Sequence, residues 1–258
     1  MRVPDEVRKC VVFLGFRMAD GTFKICGTAL YFEVIFASRR GSCLVTARHV
    51  VDGIRKLGLL EVYIRINTLD GGSKWFSSTI DQWLLPSDPS LDASIMWAGV
   101  PSGADHLILN QSTVLTQSTV TELGIGVGEE VFITGLFVHQ IGEQRNTPIV
   151  RVGNLASYPE ERIRSRVFGE MDAYLIAARS IGGLSGSPVF VHTGQVRVIK
   201  GQIQQAAKPM FYLIGIVHGH YQKNEKEPGS DDVETLNTGI AIVVPMQKIQ
   251  SFIDTVKD

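Results

Sequence analysis

About a dozen short apolar runs, each broken by Gly, Asp, Ser or Pro, constrain this chain more than any other feature. "CVVFLGFRM", "CGTALYFEVIFA", "SCLVTA", "EVYIRIN", "ASIMWAGV", "EEVFITGLFV", "PIVRVGNLA", "AYLIAA", "SPVFV", "VRVIKGQI", "YLIGIVHGH" and "TGIAIVVP" are rich in Val, Ile and Phe and follow one another at short spacing. Such residues fit a pleated, half-buried surface, and the turn residues between the runs interrupt helices. An all-β barrel or sandwich is the expected class. Helical periodicity stands out only in "PMQKIQSFIDTVKD", where Met246, Ile249, Phe252, Ile253 and Val256 share one face and Pro245 stands at the start. A short helical turn is also expected after "ARHVV".

With 258 residues the chain can bury a sizeable core, as one large domain or two small ones. The polar stretch 102–122 has no core pattern at its centre and reads as a junction between two halves. The charged stretch "YQKNEKEPGSDDVETLN", 221–237, reads as a solvated loop between two apolar strands. A net charge of −1 supplies no global field toward nucleic acid or acidic lipid, and no run approaches the length of a membrane span, so neither partner is expected. The N-terminal stretch lacks an apolar run ending in a small-residue cleavage site and reads as no signal peptide. Cys10, Cys26 and Cys43 form an odd set without metal-ligand spacing. A reduced, cytoplasmic setting is therefore expected, with a Cys26–Cys43 bridge as the open alternative.

The stretch "RSIGGLSGSPVF", residues 179–190, has two readings. It is a turn before a strand, or a nucleophile on a tight loop with bared backbone N–H groups. A serine hydroxyl is a poor nucleophile at neutral pH and needs a histidine base, itself held by a buried carboxylate. Of six histidines only His49 sits in a suitable pattern, "CLVTARHVV", where a buried strand runs into a turn. Downstream, "SLDASIMWAG" puts Asp92 at the head of an apolar run, where a carboxylate is costly unless it accepts hydrogen bonds. Asp88 competes for this role but lies in the Pro-flanked turn "PSDPS". The order is His49, Asp92, Ser185. His106, His139 and His192 read as surface or loop residues.

That order and the motifs "TARHVV", "LDASI" and "GLSGSP" resemble those of the trypsin/chymotrypsin-like serine peptidases. Over nearly the full chain the pattern looks closer to their bacterial and intracellular branches. The resemblance implies two antiparallel six-stranded Greek-key β-barrels followed by a C-terminal α-helix. Residues 1–105 would form the barrel carrying His49 and Asp92, 106–120 the linker, 121–244 the barrel carrying Ser185, and 245–258 the helix. It further implies a serine endopeptidase working through an acyl-enzyme, with Gly183 and Ser185 donating backbone N–H groups to the oxyanion and with no metal or organic cofactor. Leu184 stands where the digestive members have an aspartate that pairs with a freshly cleaved N-terminus, so activation by such cleavage is not expected.

By the same resemblance Arg179, His218, Gly219 and His220 wall the pocket for the side chain before the scissile bond, with His218 and Gly219 pairing an extended substrate through their backbone. A basic pocket formed by Arg179 with His218 and His220 is the sharper expectation; Arg179 in solvent is the plainer one and is preferred. His218-x-His220 could also place two imidazoles on one face for a metal, a reading weakened by the lack of Cys, Asp or Glu nearby in sequence. The expected partner is a protein or peptide substrate. The rival is a latent or silent member of the fold that binds peptide and awaits a regulatory protein partner, with control in trans or through residues 158–172.

Overall fold

A computed structural model describes residues 2–37, 39–165, 167–178, 182–199, 201–205, 210–226 and 233–257, with backbone only for 223–226 and 233–236. The first unit is an antiparallel sheet of β1 (Val11–Arg17), β2 (Phe23–Ile35), β3 (Arg40–Thr46), β4 (Glu61–Asn67), β5 (Ser73–Thr79) and β6 (Ser94–Trp97), in the order β5-β4-β1-β2-β3-β6. The second contains β7 (Glu130–Gly135), β8 (Ile149–Ser157), β9 (Ile163–Ser165), β10 (Gly169–Met171), β11 (Tyr174–Ala177), β12 (Pro188–His192), β13 (Val196–Ile199), β14 (Gln202–Gln205), β15 (Phe211–Lys226) and β16 (Val233–Pro245). Six of these close into a barrel, β11-β16-β15-β12-β7-β8, while β9–β10 and β13–β14 are separate hairpins.

The expected all-β, two-barrel architecture is therefore present, with one difference. Among the described residues only the second ring closes through strand pairing. The first is a half-barrel, because the four-residue β6 has its outer edge taken by Leu84, which exchanges two backbone hydrogen bonds with Ile95. Helix α1 (Arg48–Lys56) follows β3, α2 (Gln117–Leu123) precedes β7, and α3 (Met246–Val256) ends the chain with Met246, Ile249, Phe252 and Ile253 buried. Both ends of the stretch 221–237 are strand rather than loop. Residues 222–226 and 233–237 continue β15 and β16 as a paired ribbon, which its charged composition concealed.

The stretch 102–122 carries more core than its composition suggests. Leu109 bonds β2 of the first unit through Tyr31 and Glu33, and Leu115 bonds Leu213 of β15, so this segment is pinned to both units. One apolar cluster runs across them, from Phe13, Phe32 and Ile95 to Phe132, Phe190 and Ile216. Two polar clamps reinforce it. Buried Arg65 of β4 donates to the carbonyls of Gly142 (2.8 Å) and Glu143 (2.6 Å). Thr28 of β2 donates its hydroxyl to the Gly183 carbonyl and accepts from Leu136 N–H, both at 3.0 Å. Cys10, Cys26 and Cys43 are free thiols, so Cys26 and Cys43 are not bridged.

Candidate active site

His49 is the second residue of α1. The N-cap, Ala47, offers no side-chain acceptor, and the first N–H groups of a helix need partners from elsewhere. Asp92 supplies one: its Oδ1 accepts from the His49 backbone N–H at 2.9 Å, where the helix dipole also favours an anion. Its Oδ2 accepts from His49 Nδ1 at 2.7 Å. Asp92 is fully buried. Burial by itself would push the carboxyl up, but hydrogen bonds from His218 and His49 outweigh it and hold the group well below the usual carboxylate range.

Ser185 enters from the second unit, on the loop before β12. Its Oγ lies 2.8 Å from His49 Nε2. An ionised Asp92 only accepts, so Nδ1 of His49 carries the proton in the neutral ring and Nε2 is free to accept from the serine hydroxyl. The loop depends on glycine at two places. Gly183 (φ +94°) and Gly186 (φ +83°) are left-handed, and a Cβ on Gly186 would stand 2.1 Å from the Thr28 carbonyl oxygen. The Ser185 carbonyl accepts from Thr28 N–H at 3.0 Å, Gly186 N–H donates to Val217 at 2.8 Å, and Leu184 is wholly buried in the second barrel. The structure thus brings together His49, Asp92 and Ser185 from sequence positions far apart.

His218 borders a cavity beside Ser185, but both of its ring nitrogens are engaged within the protein. Its imidazole turns inward: Nδ1 is 2.5 Å from Asp92 Oδ2 and Nε2 is 2.8 Å from Ser165 Oγ. His218, Gly219 and His220 all line this cavity of about 250 Å³, together with His49, Ser185, Val167 and Ile242. Burial lowers the proton affinity of His220, and its Nε2 lies 3.2 Å from Gln222 Nε2. The rings of His218 and His220 thus have different hydrogen-bond partners. Arg179 falls outside the described residues. Neither the inward turn of His218 nor the part of Ser165 was read from the sequence. An imidazole inside the buried run "YLIGIVHGH" was the available hint, since such a ring needs partners. His106 is also no free surface residue, because its ring packs against Tyr31.

His49 Nδ1, Asp92 Oδ2 and His218 Nδ1 lie within 4.8 Å of one another, close enough to suggest a metal site. These atoms are instead one another's hydrogen-bond partners, with both rings on a single oxygen.

No protein-family model matches the chain, and no curated protein matches it. Among solved structures it is similar to the crystal structure of Deg5, at 15% identity and a TM-score of 0.51, over 95% of this chain and 88% of that one. At that identity the likeness speaks for the fold alone. The chain has a trypsin-like two-barrel fold.

Proposed function

We propose that the chain is a serine endopeptidase. The observation that carries this reading is the continuous hydrogen-bonded line from Ser185 Oγ through His49 to Asp92, at 2.8 and 2.7 Å. In the reaction Ser185 Oγ attacks the scissile carbonyl as its proton passes to His49 Nε2. Asp92 keeps the ring in the correct tautomer and stabilises the imidazolium. His49 then protonates the leaving amine, and water, deprotonated by the same nitrogen, releases the acyl group and restores Ser185.

The backbone N–H groups of Gly183 and Ser185 suit the oxyanion. Neither donates to another backbone group among the described residues. Substrate pairing is supported by β15: among the described residues its pairing with β12 ends at Ile216, which leaves the edge from His218 onward for an extended peptide. The cavity walls at Val167, Gly219 and Ile242 favour an apolar side chain before the scissile bond. The three unpaired thiols support a reducing compartment.

Intact-mass analysis after a fluorophosphonate probe tests the reading. One adduct per chain is expected on the parent protein and none on Ser185→Ala. No adduct on folded parent protein would overturn it and leave a peptide-binding member of the fold.

A further inference from the structure

Asp92 Oδ2 serves two imidazoles. On one side lies His49, backed by Ser185. On the other lies His218, backed by Ser165. We propose that His218 and Ser165 form a second, positioning arm on Asp92, which ties the β9–β10 hairpin beside the substrate cavity to the triad. This rests on the peptidase reading above.

The strand builds the arm on purpose-made geometry. Val217 pairs with Val243 and Gly219 with the very next residue, Ile242, so His218 is the extra residue of a β-bulge. Bulges re-aim side chains, and here the ring is turned from the strand face toward Asp92. Since Asp92 only accepts, His218 Nδ1 carries a proton. In the neutral ring Nε2 then accepts, and the Ser165 hydroxyl donates to it. The same Oγ accepts from the backbone N–H groups of Val167 (3.2 Å) and Phe168 (3.4 Å), so the turn of the hairpin sets where Ser165 stands. Phe168 and His49 close on the His218 ring edge-on, each with centroids 5.5 Å away.

Two consequences follow. With Oδ1 on the His49 N–H and Oδ2 on both rings, the carboxylate cannot rotate without breaking three bonds. Moreover, Ser165 and Val167 line the cavity that also holds His49 and Ser185, so a bound side chain bears on the residues that place the arm. Ser165 is not placed as a second nucleophile, being only 4% exposed.

The experiment is steady-state kinetics on a peptide substrate, with active-site titration, for His218→Ala, His218→Asn, Ser165→Ala and Ser165→Thr. Losing a hydrogen bond to a charged group should make His218→Ala about 10- to 100-fold slower in kcat, with KM changed by no more than about twofold. Asparagine restores a donor toward Asp92 but gives Ser165 no ring nitrogen. His218→Asn should therefore recover most of that loss and match Ser165→Ala at about a threefold to tenfold defect. The double variant His218→Asn with Ser165→Ala should be no worse than either alone, and Ser165→Thr should restore the rate.

Proton spectra give a readout independent of turnover. The parent should show two low-field imidazole N–H resonances, and His218→Ala should remove one and shift the other. Parent-like kcat in all folded variants, or a loss confined to KM or to the titratable fraction, would overturn the arm. If His218→Ala does not fold, the Ser165 pair decides. Failure of the parent to take the fluorophosphonate label would instead defeat the peptidase reading, and the resonances would still decide the arm.

Discussion

The two units contribute to one site by opposite means. The first buries what it provides: Asp92 is wholly enclosed, and His49 is fixed by a helix start whose N–H the carboxylate itself accepts. The second presents Ser185 on a half-exposed loop whose path is set by left-handed glycines and by backbone bonds to Thr28 and Val217. A buried carboxylate is stable only with its full set of donors, whereas a loop can be held by backbone geometry alone. Removing a functional group should therefore cost activity in both units, but stability chiefly in the first.

The largest effects separate the units most sharply. Ser185→Ala should lower kcat by about 10⁶-fold while moving the unfolding free energy by no more than about 0.5 kcal/mol. Asp92→Asn should lower kcat by about 10⁴-fold and destabilise at neutral pH by about 3 kcal/mol, because an amide cannot accept from all three donors. Its folded carboxyl is held below the unfolded value of about 4. The stability it contributes is therefore complete above that value and is lost as pH falls through the depressed folded one. Denaturant titrations should show parent and Asp92→Asn converging in acid. Equal destabilisation by both substitutions at neutral pH would erase the contrast.

Gly186→Ala sharpens the second half of the comparison. The new Cβ would meet the Thr28 carbonyl at 2.1 Å and the Thr46 hydroxyl at 2.5 Å, at φ +83°. A cost of about 3 kcal/mol is expected, with slower fluorophosphonate labelling, read from chemical denaturation and labelling rate together. A neutral result would mean that the loop is not held by backbone fit.

What could be read from the sequence was what lies in contiguous residues. His49, Asp92 and Ser185 each sit inside a local motif, and the strand runs announce themselves by composition; the C-terminal helix shows its face through period alone. The ring of His218 could not be aimed, because a single bulge between Val217 and Gly219 reverses the alternation on which such a reading depends. Ser165 lies in "YPEERIRSRVFGEMD", which has no period to mark a hairpin, and it is 53 residues from its partner. The ribbon formed by 222–226 and 233–237 is charged rather than alternating, so pairing gave no signal there. Non-closure of the first sheet depends on Leu84 reaching Ile95 before another strand can, which no local pattern encodes.

His106 offers the smallest and most local test, at the junction that joins the units. Its ring stacks edge-on against Tyr31 of β2 at 4.9 Å, and its Nε2 is buried without a hydrogen-bond partner among the described residues. Burial pushes its pKa down to about 4, against a lesser opposing pull from Asp105, which Lys9 and Arg145 already neutralise. A base whose folded pKa is depressed binds its proton more readily when unfolded. The stability tied to its neutral form is therefore complete above the unfolded value of about 6.5 and is lost as pH falls toward the folded one. From about pH 7 to about pH 5 this amounts to about 2 kcal/mol. His106→Phe keeps a ring against Tyr31 and removes the titration, so its stability should decline less across that interval than the parent's. If the two decline in parallel, acid sensitivity in this range does not come from the burial of His106.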